Sequence, residues 1–405
     1  MNVPPNRTSS RTSSRTSRAT SQSASQISSV VDFIKSGAKP RSEFVFGLEV
    51  EHLIVDKTSS RAVPYFGEGG VWQVLEALSN QMPGVRKVYS GKHLLGLVGE
   101  KVEVSLEPGS QLECSVGPFA NPDESTQFYR QFRSVLDEVL HSFNAEALTI
   151  GYQPVSLKDE IELIPKERYA AMNEYLAKTG KYGLNMMRAS ASTQVSIDFE
   201  SEEDAIAKLR LASLLGPLFC YKFTNTPYFE GEPNQYRLLR VQMWDDSDSL
   251  RASVIPHLFN DGYNFESYAK YALSTPLMVV DYSHTPEFLG VKQVQATRSS
   301  AQELYPDRVL NEFEITHILS TYFFDCRLKN FVELRTCDSL PSDLILEYMH
   351  SVNDLFYNEK SFKAMQEKLA GRGEQDIKNA KREIEELGDE AICYGQSVKE
   401  WLDVL

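Results

Sequence analysis

Residues 44–55 alternate apolar and polar positions with a period of two: Phe44, Phe46, Leu48, Val50 and Ile54 fall on one side, Glu49 and Glu51 on the other. That period predicts a half-buried β-strand. Three further stretches share the plan. In 190–199, Thr193, Val195, Ile197 and Phe199 oppose Gln194, Ser196 and Asp198. In 331–335, Val332 and Leu334 oppose Glu333 and Arg335, and in 102–114 Glu107 precedes a Pro-Gly turn with Glu113 in the strand after it. A helical period takes over elsewhere. Residues 123–143 carry Phe128, Phe132, Val135, Leu136, Val139, Leu140 and Phe143 as one stripe. Ser201-Glu202-Glu203-Asp204 has the form of a capping box ahead of an apolar helix to Leu215. Residues 361–387 predict a charged, solvated helical segment broken near Gly371 to Gly373. With no repeat or linker in residues 43–405, these elements predict a single α+β domain on a largely antiparallel sheet.

Composition alters that picture at the N-terminus. Residues 1–31 set Arg7, Arg11, Arg15 and Arg18 in a Ser/Thr background without a Lys, Asp or Glu. So little apolar surface cannot offset chain entropy, and residues 1–42 are expected to form a disordered tail. A solvated leader is the favoured reading of it, an organelle transit segment the alternative. The 405 residues carry a net charge of −14, and −18 without those four Arg. A body that acidic repels phosphate backbones, which argues against nucleic acid as a partner. No apolar run reaches the roughly 18 residues of a membrane span. Cys114, Cys220, Cys326, Cys337 and Cys393 form no C-x-x-C pair, which suits free thiols in a reducing, cytoplasmic setting. Monomer and dimer both stay open.

Motif absences narrow the chemistry. The nearest approach to a P-loop, Gly84 to Gly91-Lys92-His93, has the wrong glycine spacing and no Ser or Thr after the Lys. No G-x-S-x-G elbow occurs, and the seven His are scattered without an H-E-x-x-H. The polar strand faces remain. One reading is an antiparallel sheet with a wet side, where acids are ordinary. The other is a covered cleft, whose gathered carboxylates would repel one another unless hard divalent cations intervened. Arg335 beside Glu333 would then grip a phosphoryl oxygen, as suits a nucleotide-dependent ligase or kinase without a P-loop.

The residues that decide between these readings occur in ordered blocks. They are Gly47-Leu48-Glu49-Val50-Glu51, Leu106-Glu107-Pro108-Gly109-Ser110-Gln111-Leu112-Glu113, Ile164-Pro165-Lys166-Glu167-Arg168-Tyr169, and Asn185-Met186-Met187-Arg188 with Thr193 to Phe199. Thr226-Pro227-Tyr228-Phe229-Glu230-Gly231, Arg240-x3-Trp244-x6-Arg251 and Glu333-x-Arg335 follow. In these blocks the chain resembles the glutamate–cysteine ligase family, in its plant and bacterial branch. The resemblance implies a fold similar to the glutamine synthetase catalytic domain, a curved antiparallel sheet forming an active-site funnel flanked by helices. It implies ATP with Mg²⁺ or Mn²⁺, held by Glu49, Glu51, Glu107, Glu113 and Glu333. Arg335 and Arg251 would contact the ATP phosphates or the acyl phosphate, and Arg188, Gln194, Arg168, Tyr169 and Trp244 the substrates. The implied activity is ATP-dependent ligation of the L-glutamate γ-carboxylate to the amine of L-cysteine, the first step of glutathione-type thiol biosynthesis. A γ-glutamyl ligase with a different amine acceptor is the alternative within the class. Where many relatives carry small residues after Glu333-x-Arg335, this chain reads Thr336-Cys337-Asp338. Phosphoryl transfer to a guanidino group and a non-catalytic binding role are the alternatives from other classes; metal dependence and product identity separate them.

Overall fold

The period-two stretches pair with one another. In a computed structural model that describes residues 25–284, 294–305 and 308–405, β1 (Phe46–Asp56) lies inside a nine-stranded sheet. The other strands are β2 (Arg86–Ser90), β3 (His93–Val98), β4 (Val102–Leu106), β5 (Leu112–Phe119), β6 (Ala145–Leu148), β7 (Ser192–Ile197), β8 (Cys326–Leu328) and β9 (Val332–Asp338). They run in the order β8-β9-β7-β1-β5-β4-β3-β2, with β6 joined to the end of β1. Every pairing is antiparallel. One face buries Phe46, Leu48, Val50, Cys114, Val116, Val195, Ile197, Val332 and Leu334. Burying apolar area is the main stabilising term here, about 25 cal/mol per Å².

The N-terminal boundary differs from expectation. Residues 25–35 form a helix, α1, with Val30 and Ile34 fully buried and Ile27, Val31 and Phe33 against the core. The spacing of Ile27, Val30, Val31 and Ile34 is an amphipathic helix period that the Ser-rich average concealed. So the expected tail over 1–42 does not extend past residue 24, and residues 1–24 lie outside the described residues. Gly37 then crosses the β8–β9 turn so closely that a Cβ there would meet Asn330 O at 1.7 Å.

Helices complete both sides. α2 (Val71–Gln81) packs on β3, and α3 (Pro122–His141) packs on β1, β5 and β6 through its expected stripe. Asn121 caps α3 by accepting from Glu124 N at 2.9 Å. α4 (Glu167–Leu176) and α5 (Gly183–Ala189) pack on each other near the β4–β5 turn, where Tyr169 reaches Leu106 O. α6 (Glu202–Lys222) runs under β8 and β9, seven residues past the expected end and through Pro217. Fifteen of its residues are buried, so tertiary packing outweighs the hydrogen bond that Pro217 forfeits. Its capping acid also shifts: Asp204 returns to Glu200 N rather than to Ser201 N. α7 (Leu239–Asp245) lies against β9. α8 (Ser342–Phe356) packs on α3, and α9 (Glu359–Lys368) and α10 (Glu374–Leu387) form the broken segment predicted over 361–387. That segment is amphipathic rather than solvated all round, since α10 buries Ile377, Ala380, Lys381 and Ile384 against α6.

Candidate active site

Strand register builds the site on the face opposite the apolar one. Glu51 lies directly across from Glu113, and Glu49 lies between Ser115 on β5 and Gln194 on β7. β9 adds Glu333 opposite Ser196, and β8 adds Arg327 opposite Glu333. The β7–β9 pairing slips between Leu334 and Cys337, and Arg335 sits in that bulge. A relay of hydrogen bonds crosses the strands. Arg335 Nη1 donates to Glu333 Oε2 at 3.0 Å and to Gln194 Oε1. Gln194 Nε2 donates to Glu51 Oε1 at 3.1 Å, and Ser192 N donates to Glu51 Oε2 at 2.7 Å. Ser105 donates to Glu113 at 3.0 Å, while Tyr169 Oη stands 3.5 Å from Glu107 Oε1.

Burial sets the electrostatics. It pushes Glu113 well above the usual carboxylate range, with repulsion from Glu49, Glu107 and Glu51 adding to the effect. Glu49 is also raised by burial and by Glu333. Glu51 is raised to about 7: burial is the largest cause, Arg240 opposes it and Glu107 reinforces it. Glu333 goes the other way. Its burial is overcome by Arg327, Lys329 and Arg335, which together hold it well below the ordinary value. The face therefore has two poles, one rich in carboxylates around Glu51, Glu107 and Glu113 and one rich in cations around Glu333. Glu49 joins them.

Four residues that the sequence reading did not place join the site. Arg240 is 3% exposed, bonds Arg335 O at 3.2 Å through Nε, and leaves Nη1 buried without a partner among the described residues. Lys166, its ammonium depressed by burial, faces Glu107, Glu113 and Glu103. Arg327 and Lys329 flank Glu333. Arg168 stacks beside Tyr169, 5.9 Å from the ring centroid, with Nε buried and without a hydrogen-bond partner among the described residues. Arg240, Lys166, Arg327 and Lys329 lie two to six positions from the nearest expected site residue.

Three expected residues are not brought to this face. Arg251 is fully buried, with Nε 2.8 Å from Asp248 Oδ2 and Nη2 on Tyr175 Oη and Pro276 O. Asp248, three residues earlier in the chain, captures it. Arg188 spends Nε and Nη2 on Asn173 Oδ1 and Nη1 on the carbonyls of Lys158 and Ile161, fastening that loop to α4. Trp244 stacks on Phe323 with ring centroids 4.9 Å apart. Its apolar surface finds a core partner before any substrate.

A cleft of about 440 Å³ opens over Gly47, Glu49, Ser115 and Ser196. Larger clefts lie elsewhere, about 970 Å³ between α6 and the α9–α10 break and about 760 Å³ beside α7 and α10, so size alone does not locate the chemistry. Among the described residues no three Asp, Glu, His or Cys side chains form a ready-made metal site. The donor set nonetheless fits Mg²⁺ or Mn²⁺. Mg²⁺ takes hard oxygen ligands, commonly one or two carboxylates with phosphate and water completing the shell, and buried, mutually repelling carboxylates favour such an ion.

Residues 45–361 match the model of glutamate-cysteine ligase family 2 (GCS2). The chain belongs to that family. It is 28% identical over 368 residues to the glutamate–cysteine ligase A, chloroplastic, of Oryza sativa subsp. japonica, covering 89% of this chain and 72% of that one. Against the chloroplastic glutamate–cysteine ligase of Nicotiana tabacum it is 30% identical over 321 residues, covering 77% of this chain and 59% of the other. The fold is similar to the crystal structure of glutamate–cysteine ligase from Francisella tularensis in complex with AMP. There the TM-score is 0.50 at 13% identity, over 86% of this chain and 71% of that one.

Proposed function

We propose that this protein is an ATP-dependent glutamate–cysteine ligase, joining the γ-carboxylate of L-glutamate to the amine of L-cysteine through a γ-glutamyl phosphate. The observation that carries the reading is the single sheet face holding Glu49, Glu51, Glu107, Glu113 and Glu333 with Gln194 and Arg335, in a chain of this family.

A carboxylate is a poor acyl donor. Its oxygen therefore first attacks the γ-phosphorus of ATP, and the bond to ADP breaks. The amine of cysteine then attacks the activated carbonyl carbon, a C–N bond forms, phosphate leaves and the amine proton passes to phosphate or solvent. Glu49, Glu51, Glu107, Glu113 and Glu333 would hold a divalent metal, which would supply charge neutralisation for the transferring phosphoryl group. Arg335 lies at the cation-rich pole, where charge develops during transfer, and Gln194 ties its position to Glu51. Lys166 and Arg240, which face the carboxylate-rich pole, and Arg168 beside Tyr169 hold the glutamate. Arg251, Arg188 and Trp244 act through the packing described above. The site needs no protein nucleophile. A reducing compartment, the cytosol as expected, suits the five buried free thiols, and the partners are small molecules.

ADP release from the purified chain with Mg-ATP, L-glutamate and a panel of amines tests this, with products identified by mass. A γ-glutamylcysteine mass selective for cysteine is expected. ADP release with a different amine overturns the named product and keeps the mechanism; silence across the panel overturns both.

A further inference from the structure

Two clefts away from the sheet face meet at Glu202 and Asn264, which line both. The larger, about 970 Å³, lies between α6 and the α9–α10 break; the smaller, about 550 Å³, lies between α1 and residues 264–270. The joined groove has an apolar floor that includes Ile206, Leu214 and Phe259, and an acidic rim. Glu202, Glu203, Asp261, Glu266, Glu374 and Asp376 stand against Lys35, Arg210, Lys270 and Arg372, a net charge of −2. The cations there are largely engaged. Lys270 holds Glu266 at 2.5 Å, Arg372 holds Asp376 at 3.1 Å, and Arg210 donates to the carbonyls of Leu258 and Asn260 at 2.9 Å. Glu202, Glu203 and Asp261 have no ion-pair partner among the described residues. A second feature points to an occupant. Tyr263, in the wall of the larger cleft, is 9% exposed, and its hydroxyl is buried without a hydrogen-bond partner among the described residues.

Arginine suits this surface. Its methylene stem covers apolar floor while the guanidinium reaches the acids, and its N–H groups can donate to Tyr263 Oη. The chain carries such a segment. Residues 7–18 hold Arg7, Arg11, Arg15 and Arg18 among Ser and Thr, four positive charges with no acid and no bulky apolar side chain. They are attached at the groove's edge, because Ile27 and Ser28 in the first turn of α1 line the smaller cleft. Residues 19–24 can span about 20 Å, and α6 rises about 18 Å from Glu202 to Leu214, so the tether is long enough. Tethering sets an effective concentration of about 1 mM, at which a contact with a Kd of about 0.1 mM is occupied about nine times in ten. Segment and α9–α10 break both lie outside residues 45–361, which the family model matches, so the pairing is a matter of this chain.

We propose that residues 7–18 dock in this groove within one chain, with guanidinium groups on Glu203, Asp261 and Tyr263 Oη. The docking stands apart from the chemistry of the sheet face. Trypsin tests it on the full chain, since it cuts after the same arginines, with the released peptides timed by mass. A synthetic peptide of residues 1–24 gives the unprotected rate. Cleavage after Arg15 and Arg18 is expected to be about tenfold slower in the chain than in the peptide at low salt. Protection should vanish in Glu203→Lys with Asp261→Lys, and near 1 M NaCl, where the Debye length is about 3 Å. Tyr263→Phe should lose about twofold, and full protection in that variant overturns the hydroxyl contact. Thermal unfolding checks the fold, and Glu203→Gln with Asp261→Asn replaces the charge reversal if that variant does not fold. Cleavage of the wild-type chain at the peptide's rate overturns the docking, as does protection that survives charge reversal or high salt. Protection that grows with protein concentration assigns the groove to a second copy and overturns docking within one chain.

Discussion

Glu51 shows how one side chain is shaped from several directions. Strand alternation puts it on the polar face, Ser192 N and Gln194 orient both oxygens, and burial lifts it to about 7 against the pull of Arg240. Glu51→Gln keeps the volume and removes a charge that burial already disfavours. We expect turnover to fall at least about 100-fold with the unfolding midpoint nearly unchanged; near-normal turnover with unchanged metal affinity would remove Glu51 from the site. The next residue behaves differently. His52 is fully buried, its Nδ1 2.9 Å from Leu112 O and its Nε2 2.8 Å from Tyr129 Oη, and burial lowers it to about 3. Leu112 O can only accept, so Nδ1 donates and the neutral ring is the one that fits. The unfolded value is about 6.5, so as pH falls the unfolded chain takes the proton first and stability is lost between about pH 6.5 and 3. From pH 7 to 5 this amounts to about 2 kcal/mol. Urea unfolding of His52→Gln should show a pH dependence weaker by about that amount; an equal slope would place the acid sensitivity elsewhere.

Among the elements, the helices departed furthest from the linear reading. α1 was concealed inside a stretch whose average is Ser and Arg, because four apolar residues at helical spacing barely change a composition. α6 outran its expected end because the packing of its buried residues against β8 and β9 exceeds the local cost of Pro217. α10 lies beyond the residues the family matches, yet its Lys381 enters the molecule. The ammonium lies 2.8 Å from Asp325 and 2.9 Å from Asp245, and those two acids lift it further above its ordinary value than burial lowers it. Asp245 ends the helix of Arg240, and Asp325 O accepts from Arg335 N at 3.1 Å. α10 thereby braces two site residues from behind. Lys381→Met leaves two acids without their cation, Asp325 deeply buried, and should cost about 3–5 kcal/mol in denaturant unfolding. A change below 1 kcal/mol would mean that water replaces the lysine there.

At the scale of the whole molecule, the metal and the fold should prove separable. The described residues offer no ready-made cage; under the proposed ligase reading a divalent ion would draw part of its shell from phosphate rather than act as a structural staple. EDTA should abolish ADP formation while leaving the thermal unfolding midpoint unchanged; a midpoint that falls on chelation would reveal a structural ion. The sequence by itself determined the antiparallel strands, the face on which Glu49, Glu51, Glu113 and Glu333 gather, and the family, because a period of two and an ordered set of blocks are local and survive without coordinates. Only the tertiary structure decided which arginines serve that face. Arg240 and Arg251 share one motif, yet Arg240 is delivered to Arg335 by the docking of α7 on β9, while Arg251 is claimed by Asp248. Lys329 gained its place from the β8–β9 turn and the segment that backs it. Spacing along a chain assigns side chains to faces; which charges meet across 3 Å depends on how distant elements pack, and that information is not local.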